Sequence, residues 1–354
     1  SPRAAPAVPK ICPVCGTTYA DANAFCPADG TTLRAADVEA DLIGTVIADR
    51  YLVTDLLGEG GMGRVYLARH VRLPQQAAIK VLRPALLRDA AAVARFNREA
   101  AAASRIDHDR VARVYDFGDT PDGTVYIAME FVPGRTLKRL LQESGPLPPR
   151  RAALVVRQIA EGLDAAHRLG IVHRDLKPDN VMVVEDADGA DRAKVVDFGI
   201  AKALGPDGGA GLTQAGYVVG TPEYMSPEQL AGGEIDGRSD VYALALVTFQ
   251  SLTGAPAFEA DTPERIMTAR FVEAPRTLAA VRPDVDWPAA LQHALDLGLA
   301  REAADRTASA GAFARAVAAA VEQWIPSTPG TRPLLTPAIG APTIPEPMAA
   351  GAVG

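Results

Sequence analysis

The sequence predicts an α+β chain, and three observations carry that expectation. Between residues 51 and 82, β-branched and apolar runs flank a glycine-packed turn, the pattern of antiparallel strands. Farther on, apolar residues recur every three or four positions, as in Val93, Phe96, Ala100 and Ala103 and again in Val155, Ile159 and Leu163, which is the period of a buried helix face. All three cysteines lie before residue 27, apart from both kinds of segment. With 354 residues and 48% hydrophobic content the chain can bury a substantial core, and its length allows two or three domains.

The first element is a cysteine clip. Cys12-Pro13-Val14-Cys15-Gly16 is followed by Cys26-Pro27-Ala28-Asp29-Gly30, which repeats the turn with a carboxylate in place of the fourth sulfur. An odd, clustered set of cysteines reads as metal binding, and as a reducing, cytoplasmic location, better than as a disulfide framework. Residues 8–35 resemble a small zinc ribbon, with structural Zn2+ on Cys12, Cys15 and Cys26 and either Asp29, a water or a remote residue as fourth ligand. The alternative is a metal-free arm with reduced thiols. Such a module would serve as a docking surface for a protein partner. Residues 36–50 read as an acidic linker, and residues 326–354, rich in Pro, Thr, Ala and Gly, as a flexible tail with Thr328 and Thr336 as further phosphoacceptors or an unmodified linker.

The central region opens with a strand from Tyr51, the turn Gly58-Glu59-Gly60-Gly61-Met62-Gly63, and a second strand, Arg64 to Val71. Glycines there let backbone N–H groups approach phosphate oxygens. A strand after the glycines, where a dinucleotide fingerprint would have a helix, argues against a dinucleotide. The next strand, Gln76 to Leu82, carries Lys80 between apolar neighbours. The helix that follows carries Glu99, which either pairs with Arg95 one turn earlier or reaches Lys80.

Beyond a helix stopped by Gly170 comes Ile171-Val172-His173-Arg174-Asp175-Leu176-Lys177-Pro178-Asp179-Asn180, and seventeen residues past Asn180 comes Asp197-Phe198-Gly199. Loops bounded by apolar strands here deliver hard oxygen groups of the kind Mg2+ prefers to share with phosphates. These runs, in the order glycine turn, lysine, glutamate, loop and Asp-Phe-Gly, resemble the signature set of protein kinases. The resemblance covers roughly residues 51–325 and implies a bilobal kinase fold, with a β-rich small lobe at 51–132 and a mainly helical large lobe at 133–325.

It also implies roles. Gly58, Gly60 and Gly63 would cover the phosphates of ATP, Lys80 would meet the α- and β-phosphates, and Glu99 would brace Lys80. Asp175 would orient the substrate hydroxyl, Lys177 would neutralise the moving phosphoryl group, and Asn180 with Asp197 would hold Mg2+, or Mn2+ in its place. Met129 would stand behind adenine, Val65 and Ala78 would sandwich it, and Glu130 and Val132 would offer it backbone hydrogen bonds. Lys177 and the run Gly220 to Glu228 are similar to serine/threonine rather than tyrosine kinases. The lead-in GTVIADRY and GEGGMGRVYLA resemble the bacterial branch.

By the same resemblance Glu228 pairs with Arg306, and Asp240 braces the catalytic loop. Arg174 points to control by phosphorylation of the activation loop, with Thr213 as the candidate acceptor and autophosphorylation as the route. The expected function is a bacterial signalling serine/threonine kinase acting on protein substrates. The competing reading is a nucleotide-binding scaffold that recruits partners through the cysteine module and tail. A net charge of −7 without a basic, aromatic-studded run argues against nucleic acid. The most apolar stretch, Val241 to Leu252, is too short to span a bilayer and reads as a core helix. No secretory leader is expected. The sequence leaves oligomeric state and physiological substrate open.

Overall fold

A computed structural model describes residues 10–11, 18–19, 27, 34–35, 41–60, 63–83, 90–121, 123–185, 189–199 and 222–324. Cys12, Cys15, Cys26, Asp29 and Thr213 lie outside the described residues. At the N-terminus, β1 (Lys10–Ile11) pairs antiparallel with both β2 (Thr18–Tyr19) and β3 (Arg34–Ala35).

The small lobe is a six-stranded antiparallel sheet in the order β4-β5-β6-β7-β9-β8. Its strands are β4 (Val46–Ile47), β5 (Tyr51–Gly60), β6 (Gly63–His70), β7 (Gln76–Leu82), β8 (Val114–Asp119) and β9 (Val125–Glu130), with α1 (Ala90–Ala103) between β7 and β8. Alternation settles the two faces. Tyr51, Val53, Tyr66, Ala68, Ala77, Ile79, Tyr126 and Ala128 form one buried cluster. The end of the acidic linker differs from expectation: Val46 and Ile47 pair with β5, and Ile47 is buried in that cluster. An apolar side chain next to a half-covered sheet face gains more from joining it than from staying in solvent. Phe96, Ala100 and Ala103 of α1, the residues whose spacing predicted a helix, are all buried.

The large lobe begins with β10 (Arg135–Thr136), α2 (Leu137–Ser144) and α3 (Pro149–His167), then β11 (Val181–Glu185) and β12 (Asp191–Val195). It continues through α4 (Pro227–Ala231), α5 (Gly237–Thr253), α6 (Pro263–Val272), α7 (Leu278–Val281), α8 (Ala289–Gly298) and α9 (Ala310–Glu322). The stretch 241–252 is indeed a core helix: in α5 every residue from Ser239 to Phe249 is buried, polar Asp240 included. Close approach needs small residues there, because a Cβ on Gly298 would lie 2.7 Å from the Ala245 Cβ. Two helices thus flank a short sheet, β10-β11-β12, and the loops at its end carry the motifs singled out in the sequence.

Candidate active site

Cross-strand register gathers the predicted nucleotide residues on one sheet face. Val65 lies opposite Lys80, and Lys80 opposite Ile127; Leu67 lies opposite Ala78, and Ala78 opposite Met129. Directly paired residues share a face, and Ala78 and Lys80 are two apart on one strand, so Val65, Ala78, Lys80 and Met129 project together. Gly63 closes the turn above them with φ +150°, and a Cβ there would strike the Val81 carbonyl oxygen at 1.9 Å.

Lys80 is 7% exposed, and a buried ammonium needs a counter-charge. Asp197 supplies it, with Nζ 2.5 Å from Oδ2. The expected Lys80–Glu99 bridge is not made. Glu99 is half-buried on α1 and forms no ion pair among the described residues; the partner Lys80 has there is Asp197.

Opposite this face, the loop after α3 is shaped by one buried carboxylate. Asp240, 1% exposed on α5, accepts from the backbone N–H of His173 (2.8 Å) and of Arg174 (2.9 Å), and meets His167 Nε2 at 2.7 Å. Arg174 takes φ +64° and Asp197 φ +59°, left-handed conformations that β-carbon-bearing residues adopt at a cost of order 1–2 kcal/mol each. The Asp240 bond and the Gln229 Nε2 bond to the Arg174 carbonyl (2.8 Å) hold the first in place. His173 is buried under the Phe198 ring, 4.6 Å between centroids, and its Nε2 lies 3.2 Å from the Val196 carbonyl oxygen. Burial drives its pKa down, so it is a neutral wedge rather than an acid or base. Burial also opposes charge on His167, but the bond to Asp240 and that carboxylate's charge outweigh it and raise the pKa.

Asp175 and its predicted companions converge. The Asp175 Oδ2 lies 3.1 Å from Lys177 Nζ and 3.1 Å from Asn180 Nδ2, which also donates to the Asp175 carbonyl at 2.8 Å. With Nδ2 so engaged, Asn180 keeps its Oδ1 for another partner. Val196 N–H donates to the Asn180 carbonyl (2.9 Å), tying Asn180 to the segment that carries Asp197. Two hard oxygen donors on adjoining, mutually bonded loops suit Mg2+.

Glu228 and Arg306 form the expected pair, bidentate at 2.6 and 2.7 Å. Ser226 caps α4 in a reciprocal arrangement with Gln229. At the junction of the lobes, Val132 N–H has no acceptor among the described residues, whereas Glu130 N–H is spent on the Arg113 carbonyl at 2.8 Å. Of the two residues expected to offer adenine backbone hydrogen bonds, Val132 keeps its N–H donor, and Glu130 could serve only through its carbonyl.

Two residues escaped sequence reasoning. Lys194 Nζ lies 2.5 Å from Glu130 Oε1, and Met182, its cross-strand neighbour on β11, shares its sheet face. Period-two alternation in VMVVE and DRAKV could have placed both on one face, but not the strand that faces them.

A family model described as the protein kinase domain matches residues 51–314. The chain belongs to the protein kinase family. Its kinase domain is similar to serine/threonine-protein kinase pkn3 of Myxococcus xanthus, 45% identical over 267 residues, covering 75% of this chain and 49% of the relative. It is 43% identical over 246 residues to PknB of Mycolicibacterium smegmatis (68% and 39% covered) and 41% over 264 residues to PknD of Mycobacterium tuberculosis (75% and 38%). The chain therefore spans about half or less of the length of these relatives. Among solved structures, the PknI kinase domain of Mycobacterium tuberculosis superposes with a TM-score of 0.62 at 33% identity, covering 78% of this kinase and 98% of that chain. Among the described residues no helix is long and apolar enough to cross a membrane.

Proposed function

We propose that this kinase transfers the γ-phosphoryl group of ATP to serine or threonine hydroxyls of proteins in bacterial signalling. The observation that carries the reading is the convergence of Lys177 and Asn180 on one oxygen of Asp175. An Asp175 carboxylate so oriented accepts a hydrogen bond from the substrate hydroxyl and receives its proton as the new P–O bond forms. Lys177, on the same carboxylate, is placed to offset charge on the phosphoryl oxygens. Asn180 Oδ1 and Asp197 would hold Mg2+, which when bound neutralises phosphate charge. Lys80 supplies the cation for the α- and β-phosphates, with Glu99 bracing it when α1 brings the carboxylate within reach. Val65, Ala78 and Met129 with Met182 form the walls for adenine, and the Val132 N–H its hydrogen-bond donor. The glycines Gly58, Gly60 and Gly63 cover the phosphates.

The zinc-ribbon reading rests on the spacing of Cys12, Cys15, Cys26 and Asp29 in the sequence, with the short paired strands β1, β2 and β3 of the kind a ribbon uses alongside it. Zinc well below one equivalent per chain after dialysis would end it. Transfer of labelled γ-phosphate from Mg-ATP to the kinase itself or to a basic protein tests the main proposal. The Asp175→Asn variant is expected to lose on the order of 10²–10⁴-fold in rate, as loss of a positioned base does. Wild-type transfer by that variant overturns the assignment. Phosphate on Thr213 in Asp175→Asn expressed without another kinase overturns autophosphorylation.

A further inference from the structure

The contacts around Glu130 bear on a different question: what holds the adenine end and the phosphate end of the cleft at a fixed separation. Glu130 ends β9, two residues before Val132. Its Oε1 meets Lys194 Nζ at 2.5 Å, its Oε2 accepts from Arg113 N–H at 3.3 Å, and its own N–H donates to the Arg113 carbonyl at 2.8 Å. The connecting segment is bonded in turn to the large lobe. Ala112 N–H donates to the Val195 carbonyl (2.9 Å), Val195 N–H to the Arg110 carbonyl (2.8 Å), and Val111 bridges Val195 in parallel. Val195 stands two residues before Asp197. One junction therefore runs from the strip beside Val132, through Glu130 and Lys194, to the segment that carries Asp197.

We propose that Lys194 is a positioning residue for the nucleotide: its ion pair with Glu130 fixes the adenine strip relative to Asp197, so that both ends of one nucleotide are met at once. The proposal rests on the nucleotide reading above. Backbone bonds already tie 110–112 to β12, but Glu130 reaches large-lobe strand β12 itself through Lys194. Lys194 and Glu130 side chains are 25% and 24% exposed, so the pair is partly screened by solvent. Its loss leaves the walls standing but loosens their spacing, which costs preorganisation and so affinity.

The test is calorimetric binding of Mg-ADP to the full chain, followed by steady-state transfer at varied ATP. Lys194→Met is expected to weaken binding by about three- to fivefold, the upper part of the range of a partly exposed ion pair. That loss should appear in KM for ATP more than in kcat. Lys194→Arg keeps the cation and should bind within about twofold of wild type, and the double exchange Glu130→Lys with Lys194→Glu should recover most of what either single exchange loses. Unchanged Mg-ADP affinity in Lys194→Met overturns the proposal, as does a weakening that the double exchange fails to recover while the protein melts normally. Should Lys194→Met not fold, the Arg variant and the double exchange decide the matter alone. Failure of the wild type to bind Mg-ADP would instead remove the nucleotide reading beneath it.

Discussion

Asp240→Asn exchanges one carboxylate oxygen for an NH2 group and leaves shape intact, which makes its consequence calculable. In the kinase, Oδ2 of Asp240 serves His167 and His173 N–H while Oδ1 serves Arg174 N–H. An asparagine keeps one acceptor oxygen. If that oxygen stays with His167 and His173, the amide NH2 is turned on the Arg174 N–H, donor against donor. A hydrogen bond to a charged acceptor is lost, worth about 1.5–3 kcal/mol, and a part-buried donor is stranded at about 1–3 kcal/mol, so the combined cost is about 3 kcal/mol or more. Arg174 is held at φ +64° partly by that bond, so the cheapest relief is for Arg174 to leave the left-handed region. Asp175 follows it in the chain and moves with it. Since 1.36 kcal/mol is a factor of ten, about 3 kcal/mol of lost positioning is on the order of a 10²-fold fall in kcat. Initial rates of phosphoryl transfer, together with urea unfolding, read this out. A variant with wild-type kcat and wild-type unfolding midpoint would falsify the claim that Asp240 sets the loop's backbone.

Arg306→Met should be among the more destabilising single changes in the large lobe. The Arg306 side chain is fully buried, also donates to the carbonyls of Ala300, Arg301 and Arg238, and its removal leaves Glu228 without its bidentate partner. A loss of about 3–5 kcal/mol in urea unfolding is expected, with partial recovery when Glu228→Leu is added; a loss under about 1 kcal/mol would contradict a structural role. The His167 shift sets a pH signature. Its pKa is raised on folding from an ordinary 6.5, so its contribution is fully present below 6.5 and fades as pH rises through the folded value. The melting-temperature gap between wild type and His167→Gln should therefore be larger at acid than at alkaline pH, and a gap that grows with pH refutes the assignment. Buried His173, with its pKa lowered from 6.5, works in the opposite sense: its contribution holds above 6.5 and is lost as pH falls through the folded value.

Local sequence determined the elements and the motif residues. β-branched and apolar runs around the glycine turn placed β5, β6 and β7, and the spacing of Phe96, Ala100 and Ala103 placed α1, because strand composition and helical periodicity are properties of neighbouring residues. Lys80, Asp175, Lys177, Asn180 and Asp197 were legible from the order in which their runs follow one another and the family resemblance that order carries. Glu228 with Arg306 and Asp240 with the catalytic loop were legible only through family resemblance, since their partners lie 78 and 66–67 residues away.

Tertiary structure decided which charges meet. It gave Lys80 to Asp197 rather than Glu99, drew Ile47 out of the acidic linker into the sheet, and brought Lys194 to Glu130 across 64 residues of chain. Each outcome turns on how two separately folded surfaces lie against one another. A buried ammonium takes the carboxylate that packing brings within about 3 Å, and no local pattern in the chain records that distance.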